Sequence, residues 1–226
     1  MNKKQAETFH TIVAKGVFVV KRARPDIQTT IAYLCTRVSK PTEGDWSKLV
    51  RLIKYLNGTK NMVVTLGADN LRVIKWYVDA AFAVHEDYKS HTGAIMTMGE
   101  GAITAISRKQ RLNTKSSTTS ELVGADDVST MMLWTKLFLE EQGYVVEKNI
   151  LYQDNKSTIP LENNGRKSIG KQSRALNVRY LFLTDQVNQG NLSIEYCPSG
   201  KMIGDYMSKP LQGAKFKEHR KDIMGL

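Results

Sequence analysis

The spacing of apolar residues changes near residue 60, and this change divides the chain into two kinds of structure. Before it, apolar residues recur every three to four positions, as they do in amphipathic helices. After it, short segments such as 61–67 and 71–79 have the composition and the two-residue period of β-strands. The pattern therefore predicts a small helical segment followed by a domain built on a sheet.

Three helices are predicted in the first sixty residues, with the first interrupted at Pro25, the second ending before Pro41 and the third covering 43–59. Asn57 and Gly58 are predicted to end the third helix, because both tolerate the left-handed conformation. This helix is predicted to turn an apolar stripe inward and a basic face outward. The stripe comprises Trp46, Leu49, Val50, Ile53 and Leu56, and the outer face comprises Lys48, Arg51 and Tyr55.

Beyond residue 60 the predicted elements form a mixed sheet with helices packed on it, which places the chain in the α/β class. A hairpin at 92–107, turning through Gly99 and Gly101, follows the two strands at 61–67 and 71–79. The later elements are a long helix from Ser117 to Gln142, a strand at 149–154, a short helix at 155–163, a helix at 174–189, a strand at 192–197 and a helix at 200–209. The segment 163–172, rich in Gly, Asn and Lys, is predicted to be a mobile loop.

Composition narrows the classes of partner. With a net charge of +11 over 226 residues, the chain favours a polyanionic partner, although a basic surface without such a role is the alternative. No apolar run approaches the roughly 18 residues of a membrane span, and the first ten residues lack the apolar core of a signal peptide. Cys35 and Cys197, the only cysteines, are predicted to be free thiols in a reducing compartment.

Four acidic residues occupy positions that suit a shared site. Asp79 and Asp154 each end a predicted strand, and ligands of α/β sheets tend to bind at strand ends. Glu121 lies on the predicted inward face of the long helix, where an unpaired glutamate is rare. Asp205 lies among apolar residues in the last predicted helix.

Each of these residues also has a purely structural interpretation. An aspartate at a strand end can form a turn, and Asp205 can be a solvated helix residue. Thr118 and Glu121 have the spacing of a helix capping box. Sequence spacing leaves one shared site and four separate structural roles both open.

Several motifs occur together in the order found in one family. The segment SRKQRLNTKSSTTSELVGAD (107–126) resembles the Ser-x-Lys-Gln…Ser-Ser-Thr-x-x-Glu stretch of copia-type LTR retrotransposon Pol polyproteins. The segments LYQDNKSTI (151–159), RALNVRYLFLTDQV (174–187) and MIGDYMSKPL (202–211) resemble the three blocks that follow it there. Upstream, the second and third predicted helices are similar to the segment that joins the polymerase to its ribonuclease H domain.

The resemblance implies a fragment that holds the end of a reverse transcriptase followed by ribonuclease H. Its expected parts are a helical thumb or connection remnant at 1–70, a ribonuclease H domain at 71–212 and a basic C-terminal tail at 213–226. The fold so implied is a ribonuclease H-like mixed five-stranded sheet with flanking helices, preceded by the small helical segment. Ala80 follows Asp79 where a polymerase centre would have a second aspartate, so no polymerase activity is predicted for this chain.

The acidic ligands of the family correspond to Asp79, Glu121, Asp154 and Asp205. By resemblance, these residues bind two Mg²⁺ ions, for which Mn²⁺ can substitute, with Asp79 bridging both, and they hydrolyse the RNA strand of an RNA–DNA hybrid. The implied partners are that hybrid and the upstream polymerase part of the same polyprotein, without a membrane or a small-molecule cofactor. The implied location is intracellular, in a cytoplasmic particle or the nucleus. The alternatives are a fragment that binds nucleic acid without cleaving it and, less well matched, another nuclease or transposase of the same fold.

Cations and polar residues near the start of the long helix are predicted to contact the hybrid, because phosphates attract such groups without regard to base sequence. Two further cations on the third helix are predicted to form a second basic surface. A solvated loop and helix capping are the structural alternatives. The predicted contact residues are Arg108, Lys109, Arg111, Lys115, Ser116, Ser117, Thr118 and Asn155, with Lys48 and Arg51 on the third helix.

The chain departs from the family in its histidines. Many ribonucleases H have a histidine near the last aspartate, whereas this chain has none between His91 and His219. We therefore predict that the rate of hybrid cleavage shows no inflection near the ordinary histidine pKa of about 6.5.

Overall fold

Residues 1–164 and 174–226 are described by the computed structural model, and this part of the chain contains eight α-helices and seven β-strands. The helices are α1 (Lys3–Arg22), α2 (Gln28–Cys35), α3 (Glu43–Gly58), α4 (Ser117–Glu141), α5 (Thr158–Asn164), α6 (Arg174–Asn188), α7 (Asp205–Ser208) and α8 (Gly213–Met224). The strands are β1 (Gly67–Ala68), β2 (Val73–Ala81), β3 (His91–Thr97), β4 (Gly99–Glu100), β5 (Thr104–Lys109), β6 (Lys148–Gln153) and β7 (Ser193–Tyr196). Single 3₁₀ turns cover Pro25–Ile27 and Ser199–Lys201.

Five strands form one mixed sheet in the order β5-β3-β2-β6-β7. β2 pairs antiparallel with β3 and β3 with β5, whereas β2 and β6, and then β6 and β7, run parallel. The two parallel pairs are joined through helices, as parallel connections require. The predicted ribonuclease H-like mixed five-stranded sheet with flanking helices is confirmed.

Both faces of the central strand β2 are covered, which explains its nearly continuous apolar sequence. Ile74, Trp76 and Val78 are fully buried in a core that α4 completes on one face. On the other face, Tyr77 packs into a second core with Tyr206 of α7 and its neighbours. The end of β2 that carries Asp79 therefore lies between α4 and α7.

Two predicted elements were wrong. Of the strand predicted at 61–67, only Gly67 lies in a strand, the two-residue β1 that pairs with β4, and Val63 and Leu66 are exposed and have no core to pack on. The predicted helix at 200–209 is a 3₁₀ turn followed by the four-residue α7. The mobile loop predicted at 163–172 lies almost wholly outside the described residues.

Helix α3 is rotated relative to the predicted stripe. Leu49 and Leu52 are buried, whereas Val50 and Ile53 are 37% and 44% exposed. Tyr55, predicted to face outward, instead donates a hydrogen bond of 2.6 Å to Oδ2 of Asp26. The helix continues through Gly58 and ends at Thr59 with φ −126°, so the predicted left-handed end was also wrong. The outer face of α3 therefore keeps its cations but loses its aromatic residue.

Helix α2 packs against β5 and α7, and α1 and α3 pack with α2 in a separate apolar cluster. The buried side chain of Arg24 forms an ion pair with Asp26, whose backbone carbonyl accepts a hydrogen bond of 2.8 Å from the hydroxyl of Tyr206. The hydroxyl of Thr29 donates a second hydrogen bond, 2.5 Å long, to the backbone carbonyl of Tyr206. Through these contacts the helical segment holds the short helix that carries Asp205.

Residues 213–226, expected as a basic tail, form α8 and its end. Ile223 and Met224 are fully buried, and their carbonyls each accept a 2.8 Å hydrogen bond, from the backbone N–H groups of Ala102 and Thr65. The expected boundaries near residues 70 and 212 stay predictions.

Two simpler features concern membranes and thiols. Among the described residues, no helix is long and apolar enough to cross a membrane. Cys35 and Cys197 are free thiols, as predicted.

Two histidines contact each other at the start of β3: His91, which is buried in the strand, and His85, which is half-buried in the preceding loop. Nε2 of His85 is 3.0 Å from Nδ1 of His91, and Nε2 of His91 is 2.7 Å from Oγ of Ser107. Burial, and then the proximity of His85, lowers the pKa of His91 to about 4. His91 is therefore neutral in the folded protein at neutral and mildly acidic pH.

The wild-type protein is expected to lose more stability on acidification than the His91→Gln variant. Between pH 6.5 and about 4 the unfolded chain binds a proton at His91 that the folded chain does not, so the unfolding free energy falls as the pH is lowered through this window. The difference between the two proteins should change by about 3 kcal/mol across it. Urea denaturation at several pH values measures the difference, and a constant value would contradict the prediction.

Candidate metal centre

Three carboxylates converge at one edge of the sheet. Asp79 is near the end of β2 and Asp154 directly follows β6, so the parallel pairing of these strands brings both to the same edge. Glu121, in the second turn of α4, approaches from the adjoining helix. One carboxylate oxygen from each residue lies within 4.8 Å of the others. Asp79 and Glu121 are buried, and Asp154 is partly exposed, so the cluster opens to solvent on one side.

Glu121 has a buried carboxylate oxygen, Oε2, to which no neighbouring group donates a hydrogen bond among the described residues. The capping box, which was the structural alternative for Thr118 and Glu121, does not form, because α4 is capped by Ser116, whose Oγ accepts a hydrogen bond from the N–H of Thr119. Burial, and then the charge of Asp79, raises the pKa of Glu121 well above its ordinary value.

The donor set suits a divalent cation. Carboxylate oxygens are the hard ligands that Mg²⁺ and Mn²⁺ bind, and a cation between them relieves their mutual repulsion. An unpartnered oxygen on a glutamate that is only 5% exposed is costly unless such a group pairs with it. Asp79, Glu121 and Asp154 therefore fit the metal that the resemblance implies.

Asp205 lies close to Asp79, but lysines hold it. Nζ of Lys209 donates to Oδ1 of Asp205 at 2.6 Å and to Oδ1 of Asp79 at 3.1 Å. Nζ of Lys215 donates to Oδ2 of Asp205, and the hydroxyl of Ser208 donates to Oδ2 of Asp79. The structure thus joins Asp205 to Asp79 through an ammonium group and leaves it outside the group of three that lies within 4.8 Å.

The lysines determine how these carboxyl groups titrate. Burial raises the pKa of Asp79, and the nearby charge of Lys209 only partly offsets this effect. For Asp205, burial acts in the same direction, but hydrogen bonds from Lys209 and Lys215 outweigh it and lower the pKa. Burial alone would lower the pKa of Lys209, yet Asp79 and Asp205 raise it above its ordinary value. Lys209 is therefore held as a cation.

Sequence reasoning missed Ser208, Lys209 and Lys215. Lys209 follows Asp205 by four positions, a spacing that brings side chains together on a helix and could have indicated the pair. The contact with Asp79 depends on the packing of α7 against β2 and β3, which has no local signal. Lys215 is in α8, ten positions after Asp205.

The predicted phosphate-binding cations divide into two groups. Arg108 forms an ion pair with Asp127 at 3.3 Å, and Lys109 forms one with Asp87 at 2.7 Å. Arg111 and Lys115 are exposed, and no ion pair to either is found among the described residues. Of the four predicted cations before α4, these two are therefore the most available to an anion.

The predicted polar contacts are in part helix caps. Ser116 caps α4, as the structural alternative held, while Ser117 is exposed and Thr118 is partly buried. Oδ1 of Asn155 accepts a hydrogen bond from the N–H of Ser157, which also matches capping. On α3, Nζ of Lys48 donates to the hydroxyl of Tyr33 at 2.9 Å, and Arg51 is exposed beside Lys54.

Fold and site together give an α/β domain with a mixed five-stranded sheet and a largely buried acidic cluster at the edge of that sheet. The chain is 26% identical over 219 residues to the retrovirus-related Pol polyprotein from transposon TNT 1-94 of Nicotiana tabacum, which covers 96% of this chain and 16% of the relative. It is 29% identical over 202 residues to the corresponding polyprotein from transposon RE1 of Arabidopsis thaliana, which covers 88% of this chain and 14% of the relative. The predicted resemblance to retrotransposon Pol polyproteins is confirmed.

The sequence matches cover most of this chain but only a small part of each relative, whereas the structural match covers little more than half of this chain. The chain spans about a sixth or less of the length of the curated relatives it matches. A solved ribonuclease H1 from a compost metagenome, LC11-RNase H1, is similar in chain trace with a TM-score of 0.42 at 10% identity, covering 58% of this chain and 88% of that one. No family model matches the chain.

Proposed function

We propose that this chain is the ribonuclease H part of a retrotransposon Pol polyprotein and hydrolyses the RNA strand of RNA–DNA hybrids. The observation that carries the proposal is the convergence of Asp79, Glu121 and Asp154 within 4.8 Å, with a buried and unpartnered oxygen on Glu121. Similarity to Pol polyproteins over nearly the whole chain supports the biological setting. The upstream polymerase as a partner, and a cytoplasmic particle or the nucleus as the location, belong to the same proposal.

The three carboxylates would hold a Mg²⁺ or Mn²⁺ ion at the open edge of the sheet. When bound, such an ion lowers the pKa of coordinated water and stabilises negative charge on the phosphate. The three carboxylates would position this ion. Because Asp79 and Glu121 are buried, their carboxylate oxygens are held in fixed positions. The predicted two-ion arrangement also requires Asp205, both of whose oxygens are bound by lysines.

The basic surface supports a polyanionic substrate. Arg111 and Lys115 lie just before α4, in the loop that leads to Glu121, so phosphates bound there would pass close to the acidic cluster. Ser117, exposed in the first turn of α4, can contact the 2′-hydroxyl that distinguishes RNA from DNA. Lys48 and Arg51 on α3 extend the basic surface onto the helical segment.

Incubation with end-labelled RNA–DNA hybrid tests the proposal directly. With Mg²⁺ or Mn²⁺ we expect cleavage of the labelled RNA strand, an intact labelled DNA strand, and no cleavage in EDTA. Single-stranded RNA and duplex DNA are the controls for substrate class. Equal cleavage of all three nucleic acids, or no cleavage of any, would refute the proposed function.

A second function, nucleic-acid binding without cleavage, is favoured by one observation. The lysines bound to Asp205 neutralise the fourth carboxylate of the predicted set. A protein that binds the hybrid with ordinary affinity but leaves both strands intact in either metal would have this second function.

Hybrid binding is expected to depend on Arg111 and Lys115 more than on Lys109. Replacing the first two together with glutamine should reduce the slope of log K against log salt by about 1 for each phosphate that these cations neutralise in the wild type. Lys109→Gln is the matched control, because its ammonium group already pairs with Asp87. Fluorescence anisotropy of a labelled hybrid in EDTA at several KCl concentrations measures the slopes. Equal slopes for the double variant and the wild type would show that these cations do not bind phosphate.

A further inference from the structure

The ammonium group of Lys209 lies between the carboxylates of Asp79 and Asp205. In an acidic metal centre, a metal ion could bind at this position. Nζ of Lys209 lies 3.1 Å from Oδ1 of Asp79 and 2.6 Å from Oδ1 of Asp205. Both carboxylates are buried, with exposed side-chain fractions of 2% and 4%. A single ammonium group thus bridges two buried anions, as a bound metal ion does.

The position of Lys209 is supported from two directions. Its backbone N–H donates to the carbonyl of Asp205 at 2.9 Å, which holds the residue at the end of α7 beside that aspartate. Lys215, from α8, holds the other oxygen of Asp205. The geometry therefore comes from two helices packed together and does not depend on one free side chain.

The acidic residues are consequently divided into two subsites that share Asp79. One contains Asp79, Glu121 and Asp154, and retains an oxygen of Glu121 without a partner among the described residues. The other contains Asp79 and Asp205, and its charge is balanced by Lys209 and Lys215. A second divalent ion between Asp79 and Asp205 would meet the ammonium group of Lys209 at short range. At the first subsite three carboxylates converge, and Lys209 bonds only to Asp79 among them.

We infer that Lys209 takes the place of a second metal ion, so that the centre binds one divalent ion, at Asp79, Glu121 and Asp154. This inference rests on the proposed function, since it concerns the same acidic residues. Lys209 acts as a fixed positive charge that positions Asp79 and Asp205 and excludes a second ion from between them.

Isothermal titration calorimetry with MnCl₂ and MgCl₂ tests the inference on the full chain without nucleic acid. We expect one ion bound to the wild type and two to Lys209→Met. Lys209→Gln, which keeps a hydrogen-bond donor but removes the charge, should also bind two and covers the case in which the methionine variant does not fold. Lys201→Met is the matched control, because it removes an exposed lysine from the neighbouring 3₁₀ turn, and it should bind one ion.

The outcomes separate this inference from the proposed function. Two ions on the wild type, or one ion on both folded Lys209 variants, would overturn the inference even if the hybrid is cleaved. A change from one ion to two, in a protein that never cleaves the hybrid, would uphold the inference and refute the proposed function. Failure of every protein to bind either ion would overturn both.

Discussion

The Asp79→Asn variant is expected to lose hybrid cleavage by at least about a hundredfold, since a lost metal ligand removes several kcal/mol of transition-state stabilisation. Asp79 contributes to the group of three carboxylates and also contacts Ser208 and Lys209. Asparagine has the same shape but halves the number of acceptor oxygens and removes the charge. Initial rates on end-labelled hybrid measure the loss of cleavage, and a Mn²⁺ titration measures the loss of metal affinity.

Asp69, an aspartate in the loop before β2, provides a matched control for Asp79. Asp69 is exposed, and its carboxylate pairs with Lys75 of β2 at 2.8 Å. Asp69→Asn makes the same chemical change outside the centre and should leave cleavage within about twofold of the wild type, because exposed pairs contribute little. Circular dichroism confirms that both variants fold. Undiminished cleavage by folded Asp79→Asn would refute the metal-dependent mechanism.

The sequence predicted the parts of this fold whose signals are local and repeated. The two-residue period of β2 and the long helix α4 were both recognised, and α4 ends one residue from its predicted end. Asp79 and Asp154 could be placed together because each ends a predicted strand, and the parallel pairing of β2 and β6 brings the ends of these strands to one edge. Glu121 was selected from its position on the inward face of α4, and the resemblance to Pol polyproteins then placed it in the same site as the two aspartates.

Features that depend on packing between distant elements could not be predicted in this way. The apolar stripe on α3 was assigned from periodicity alone. The buried face of the helix differs from this stripe because Tyr55 faces inward and donates a hydrogen bond to Asp26 of the 3₁₀ turn before α2. The short α7 replaces a longer predicted helix, since its backbone is fitted against the sheet. Lys209 was overlooked for the same reason: its contact with Asp79 spans 130 positions in the sequence.

Gly93 of β3 permits the close approach that places α7 beside the acidic centre. It pairs with Asp79 in the sheet, and a Cβ atom at this position would lie 2.7 Å from the carbonyl carbon of Met207 and 2.8 Å from the carbonyl oxygen of Gly204. Both are backbone atoms, which cannot move aside as a flexible side chain can. The absence of a side chain at residue 93 therefore determines how closely α7, with Asp205 and Ser208, packs on β2 and β3.

Gly93→Ala is expected to reduce hybrid cleavage by about a hundredfold, because a displacement of about 1 Å of α7 misplaces Asp205 and Lys209 relative to Asp79. Its unfolding free energy should fall by about 3 kcal/mol, the upper part of the usual range for overpacking. Gly124→Ala in α4 is the control, since its Cβ would meet side chains at 3.5 to 3.7 Å, an ordinary contact. That variant should be as stable as the wild type or more so by up to about 1 kcal/mol, because alanine favours helix. Urea denaturation and initial cleavage rates of the three proteins decide the matter, and wild-type values for Gly93→Ala would show that α7 is not fixed by this contact.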